Sequence, residues 1–232
     1  MDARTGNGFA RLRLRIDPAR VRGLVETVND GILAVSGFSQ GLSGGDAVRN
    51  LASPIVLLAA VAGALSVASI ALASTLADRD AEQVAAAEER RLLELSPQQQ
   101  VDELAAYYEQ KGVSPATARQ VAAELNAVDP IAAQLEVEGF DEPITIGDAV
   151  TSAVLAALAF LLGAAVPVLI SVVTPGEWRD EYTAAAVVVA LALTSVLLAR
   201  LGHTRIWQTL LRSVAIGLAA LGGSYLIGSV LL

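Results

Sequence analysis

Residues 50–77 read NLASPIVLLAAVAGALSVASIALASTLA, and residues 78–95, which follow without a break, read DRDAEQVAAAEERRLLEL. The first stretch holds no Asp, Glu, Lys or Arg in 28 residues, whereas half of the second is charged. A helix rises about 1.5 Å per residue, so roughly 20 apolar residues cross the ~30 Å hydrocarbon layer of a bilayer. The pair of stretches therefore predicts one helix that crosses a membrane and runs on into water to about Leu95.

Three more charge-free runs share the character of the first. They cover 149–176, 182–199 and 213–232, with 28, 18 and 20 residues. Four such runs in 232 residues are better explained by membrane spans than by the buried helices of a soluble core. A fifth span is expected at 22–45, RGLVETVNDGILAVSGFSQGLSGG, which is long enough but only moderately apolar. Its polar residues Glu26, Asn29, Asp30, Ser36 and Gln40 recur at spacings of 3, 4 and 7, which fall on one side of a helix. Lipid cannot satisfy such a stripe, so it must face protein or water. The alternative is an amphipathic helix lying in the interface. The expected spans are thus 22–45, 51–77, 147–174, 182–200 and 207–231.

Arginine placement sets the orientation. Arg4, Arg11, Arg13, Arg15, Arg20 and Arg22 precede the first span, Arg79, Arg90 and Arg91 follow the second, and Arg200, Arg205 and Arg212 flank the turn between the fourth and fifth. The other side holds Arg49 and Arg179. Five spans with a cytoplasmic N-terminus place every arginine-rich segment inside and the C-terminus outside. The reading is an all-α membrane protein: a basic N-terminal segment (1–21), spans one and two (22–77), an acidic cytoplasmic helical insert (78–145) and spans three to five (146–232). Length and arginine bias suggest a prokaryotic plasma membrane. Residues 1–22 carry six arginines and no continuous apolar core, so no cleavable leader is expected there.

Composition excludes several chemistries. The chain has no cysteine, one histidine (His203) and a formal charge of -8. Thiolate metal sites, cysteine nucleophiles and multi-histidine zinc sites are ruled out, and histidine-based catalysis is disfavoured. An acidic chain is a poor partner for nucleic acid, whose phosphates need clustered Lys and Arg. No enzyme activity is expected. Membrane lipid is the partner that the hydropathy implies.

The insert carries its own start and stop signals. Ser96-Pro97-Gln98-Gln99 reads as an N-cap, a first-turn proline and a capping-box glutamine. Ser114-Pro115 repeats the start, with Gly112 ending the helix before it, and Asp129-Pro130 begins a third short helix. Leu92, Leu95, Leu104, Tyr107, Tyr108, Val113, Val121 and Leu125 are the expected core. Residues 78–142 hold fifteen Asp and Glu against five Lys and Arg. Among them Glu82 and Glu89 are seven apart on one helix with Glu88 beside them, and Asp102, Glu103 and Glu109 lie on the next. Carboxylates without His or Cys suit hard or borderline divalent cations bound through oxygen. Acidic helices in water are also, more often, simply solvated surfaces.

The order of these parts resembles the vacuolar iron transporter (VIT) family from about Arg20 to Leu232. The resemblance is carried by Val28-Asn29-Asp30-Gly31-Ile32, Gly63-Ala64-Leu65-Ser66 and Asp78-Arg79-Asp80. Within the insert it is carried by Pro97, Glu103-Leu104, Tyr108, Lys111-Gly112 and Ala122-Ala123-Glu124-Leu125. It implies a homodimer that moves Fe(II), often also Mn(II), out of the cytosol in exchange for protons, with the metal ion as substrate and no organic cofactor. It further implies a pathway lined by the first two spans, with Asp30 as its carboxylate and Glu26, Asn29, Ser36 and Gln40 along it. Glu89 and Glu103, with Glu82, Glu88 and Glu109, would collect metal in the insert.

The sequence also departs from that pattern. Family members usually read Met and then Gly-Glu in the second span, where this chain has Val67 and Ile70-Ala71. Leu92 and Gln100 stand where further glutamates are expected. Gln100 still offers a carbonyl oxygen; Val67 and Leu92 offer nothing to a cation. A non-transporting family member, acting as a membrane-anchored acidic metal-binding or interaction module, is the alternative that these departures raise.

Overall fold

The computed structural model describes residues 18–43, 52–140, 143–174, 178–201 and 205–231. Among the described residues there are eight α-helices: α1 (Pro18–Ser43), α2 (Ala52–Leu95), α3 (Pro97–Gln110), α4 (Pro115–Val128), α5 (Pro130–Val137), α6 (Ile146–Val173), α7 (Arg179–Leu201) and α8 (Ile206–Leu231). Four of them, α2 from Pro54 onward, α6, α7 and α8, are long and apolar enough to cross a membrane. With α2 spanning 44 residues, or about 66 Å, it is twice the length that a bilayer requires and continues unbroken through the charged stretch to Leu95. The expected fifth span, α1, is long enough at 26 residues but is not among the four. Arg20, Arg22, Glu26 and Asp30 crowd charge into its first half.

The chain divides into two compact units, 1–65 with 156–232, and 66–155. In the first, α1 packs against α7 and α8, and α7 against α8. Ile32, Val187, Leu191 and Leu221 form its buried centre, with Val28 and Leu33 against them. Glycines let backbones meet. A Cβ on Gly31 would lie 2.1 Å from the Phe160 carbonyl oxygen, and one on Gly163 would lie 1.9 Å from that of Val28. So α1 and α6 touch backbone to backbone at this level. At the far end of α1, a Cβ on Gly228 would lie 1.9 Å from the Gly41 carbonyl oxygen. At Gly222 and Gly223 of α8, by contrast, nothing lies within 4 Å of an added Cβ. In α6, Pro167 withholds an N–H from the carbonyl four residues back, that of Gly163.

The second unit contains the short helices. All three begin at the expected prolines, but the caps differ from expectation. Neither Ser96 nor Ser114 makes a side-chain cap bond. The Gln99 amide, the expected partner in a capping box, donates instead to Glu103 at 2.9 Å. Asp129 does cap α5, accepting from the Ala132 N–H at 3.1 Å. Gly112 and Gly139 follow α3 and α5 at φ +94° and +91°, a left-handed conformation that favours glycine. The core is smaller than expected. Leu104, Ala105, Ala122 and Ala133 fill it, with Val101, Tyr108, Leu125 and Val137 around them. Leu95, expected inside, is 66% exposed. Alanines dominate because α3, α4 and α5 pack against one another closely; the end of α2 supplies no side chain to this cluster.

Candidate functional site

The expected metal-collecting residues divide by environment. Glu82 is committed to structure: its carboxylate accepts from the Ile144 N–H at 2.9 Å and fastens the chain just before α6. Glu88 is exposed and paired with Arg91 one turn on, at 3.3 Å. Glu109 is exposed at the end of α3. Glu89 differs from all of these. It is 7% exposed, and its Oε2 atom has no hydrogen-bond partner among the described residues.

Burial pushes the Glu89 carboxyl above the ordinary carboxylate range, and the negative charges of Glu138, Glu103 and Glu88 push it further the same way. Glu103 lies on the exposed side of α3, accepting from Gln99 and, at 3.4 Å, from Gln100. Gln100 is 2% exposed, and its own Oε1 also lacks a partner. Its backbone carbonyl is held by the Gln134 amide at 2.7 Å, which ties α3 to α5. The second unit thus contains a buried carboxylate oxygen and a buried amide oxygen, both without donors, in a field of further carboxylates. No three carboxylate or histidine side chains among the described residues converge closely enough to hold a metal ion by themselves.

The sequence places Glu138 among the insert's carboxylates, at the close of the domain, but spacing could not tie it to Glu89. It stands at the C-cap of α5, some fifty residues from Glu89 in the chain, and only the fold gives it influence there. The one local signal is Gly139, which stops α5 immediately after it. Gln100 looks in the sequence like a weakened ligand; in the fold it is a buried acceptor.

The polar stripe of α1 does not stay together. Ser36 is fully buried with an unpartnered Oγ, and Gln40 is buried with its amide donating to the Asp180 carbonyl at 3.2 Å. Asn29 is half-buried with its Oδ1 unpartnered. Asp30 and Glu26 are exposed. Asp30 adjoins Gly31, where α1 meets α6, while Glu26 lines a recess near the start of α1 that it shares with arginines of α8.

Comparison with known proteins bears on these placements. The model of the VIT family matches residues 21–229, which is nearly the whole chain and all of the helices but the first turn of α1 and the last residues of α8. The chain belongs to the VIT family. A similar protein from Acanthamoeba castellanii, named vacuolar iron transporter, is 30% identical over 126 residues. That alignment takes in 53% of this chain and 47% of the relative, so the chain matches about half of that protein's length. Asp30, Glu89 and Glu103 all lie within the family match, as do the departures at Val67, Ala71, Leu92 and Gln100.

Proposed function

We propose that this VIT-family chain is a transporter, not an enzyme, and carries a divalent metal ion, Fe(II) or Mn(II), out of the cytosol in exchange for protons. The observation that best supports this reading is Glu89. A buried carboxylate with an unpartnered oxygen, surrounded by negative charge, needs either a proton or a cation. The unpartnered Gln100 oxygen adds a neutral donor of the kind that hard cations accept. A hydrated ion attracted by Glu103 and Glu138 would displace the proton held by Glu89, and Asp30 on α1 would carry it onward. Capture and release would each exchange protons against metal.

On this reading α1 is the fifth span. Its buried Ser36 and Gln40 turn inward to protein, the condition that lets a moderately apolar helix cross lipid. The insert then lies on the cytoplasmic side of a prokaryotic plasma membrane, and the exposed Asp30 is covered by a second copy in a homodimer. The test is metal uptake into proteoliposomes, comparing the intact protein with Asp30→Ala. Uptake lost in the variant supports the reading; equal flux in both defeats it.

A second reading has its own observation. Val67 and Ala71 lie four apart on one face of α2 and offer no donor to a metal ion. A chain lacking those ligands could hold metal in its insert without moving it. Metal-dependent stabilisation with no flux would favour this membrane-anchored binding module.

A further inference from the structure

At one end of the first unit, the start of α1, the end of α7 and the start of α8 enclose an open-sided recess of about 400 Å³. Arg22 and Glu26 enter it from α1; Arg205 and Arg212 enter it from α8, with Gln208 and Thr209 between them and Leu198 of α7 as part of its wall. Positive-side arginines ordinarily splay into water, which would be explanation enough for any one of them. Here guanidiniums nearly 190 residues apart in sequence converge on a single recess. Among the described residues none of the three, nor Glu26, takes part in an ion pair. Three positive groups against one carboxylate leave a local excess of two positive charges. The first turn of α8 adds the positive end of a 26-residue helix.

With α7 and α8 read as membrane spans, exposed aromatic residues give the recess a depth. Trp207 stands beside it on α8, 68% exposed, as an aromatic ring at the boundary of water and lipid does. Trp178 and Tyr182, 60% and 58% exposed, stand at the opposite end of α7. Tyr182 and Leu201 are separated by about 29 Å of helix, which matches the hydrocarbon thickness. A basic recess at this level, open on one side and walled partly by leucine, is placed where phospholipid headgroups lie.

We propose that this recess binds a phosphate-bearing anion, held by the forked guanidiniums of Arg205 and Arg212 with Arg22 opposite. The same chemistry is offered by the headgroup of an anionic phospholipid and by free phosphate. Its location favours the lipid, whose acyl chains would leave along the apolar flanks of α7 and α8. Of the residues expected along a transport pathway only Glu26 lines this recess, and among the described residues none of these arginines forms an ion pair with Glu89, Glu103, Glu138 or Asp30.

The test uses the purified full chain in a neutral detergent. Thermal unfolding is followed with phosphatidylglycerol, with phosphatidylcholine, and with sodium phosphate against sodium chloride at matched ionic strength. The expected result is a rise in Tm with phosphatidylglycerol but not with phosphatidylcholine. The apparent affinity should fall at least about tenfold in the double variant Arg205→Gln, Arg212→Gln and stay unchanged in Arg119→Gln, an exposed site in the insert. A rise with sodium phosphate, lost in the same double variant, assigns the site to a soluble anion. No rise with either probe, or a rise that survives the double substitution, overturns the proposal. Salt provides a check without mutation: a phosphatidylglycerol effect unchanged at high sodium chloride is apolar in origin and also overturns it.

Discussion

At Glu89 burial and like charge act in the same direction, and the consequence for stability has a definite sign. The folded chain holds this proton more tightly than an unfolded one, whose glutamates titrate near the ordinary 4.5. Above that value the folded state binds the extra proton, so stability from this group is full at low pH and is lost as pH rises through the raised folded value. A divalent cation can take the place of the proton. The contribution of this group should therefore fall as pH rises from 4.5 through the raised folded value, and Mn(II) should raise Tm more above that value than below it. Glu89→Gln removes the charge while keeping the shape. It should melt above the parent at pH 7.5 and show little gain from Mn(II). A variant that is less stable by the same amount at every pH would mean that the carboxylate serves packing alone.

Besides its side-chain core, the first unit has places where glycine lets helices meet backbone to backbone. At Gly31 and Gly163 a methyl group would strike the backbone of the neighbouring helix at 2.1 and 1.9 Å, and backbone cannot rotate away as a side chain can. Gly31→Ala and Gly163→Ala should each cost about 1–3 kcal/mol, the usual range for overpacking. For a chain of this length that is a Tm loss of roughly 2–12 °C. Gly222→Ala meets nothing and should be neutral or gain up to about 1 kcal/mol from helix propensity. Melting of the three variants in one detergent separates them; equal losses would contradict the contacts. Which glycines pack could not be read from the sequence, since Gly163 and Gly222 look alike until a partner helix is present. The starts of α3, α4 and α5 could be read, because Ser-Pro and Asp-Pro act within one turn. The reach of Glu138 to Glu89 could not, nor could the convergence of Arg22 with Arg205 and Arg212. Charge asymmetry raises the expectation that these arginines share a side of the membrane, but not that they share a recess.

For the molecule as a whole, the proposed orientation and transport rest on how charge is distributed over α1 and the four helices long and apolar enough to cross a membrane. The chain has no cysteine, so single reporters can be introduced cleanly. With the insert inside, Gln98→Cys in intact cells should resist a membrane-impermeant maleimide while Tyr182→Cys reacts; the reverse pattern would invert the topology. Transport depends further on what a cation meets on the way. A transition metal must replace each lost water by a protein donor, and charge near the centre of a bilayer is costly unless paired or hydrated. With Val at 67 and Ala at 71, the thioether and carboxylate that the family resemblance leads one to expect in the second span are absent, and Asp30 is left as the main charge of α1 in the transport reading. Loss of the thioether should weaken preference for the softer Fe(II) relative to oxygen-seeking Mn(II). The unaltered protein should therefore carry metal slowly and with little selectivity. Val67→Met combined with Ala71→Glu should increase Fe(II) flux in proteoliposomes more than Mn(II) flux, and Asp30→Ala should abolish the gain. If the double substitution leaves Fe(II) flux unchanged while the unaltered protein already transports it rapidly, then α2 is not where this chain selects its metal.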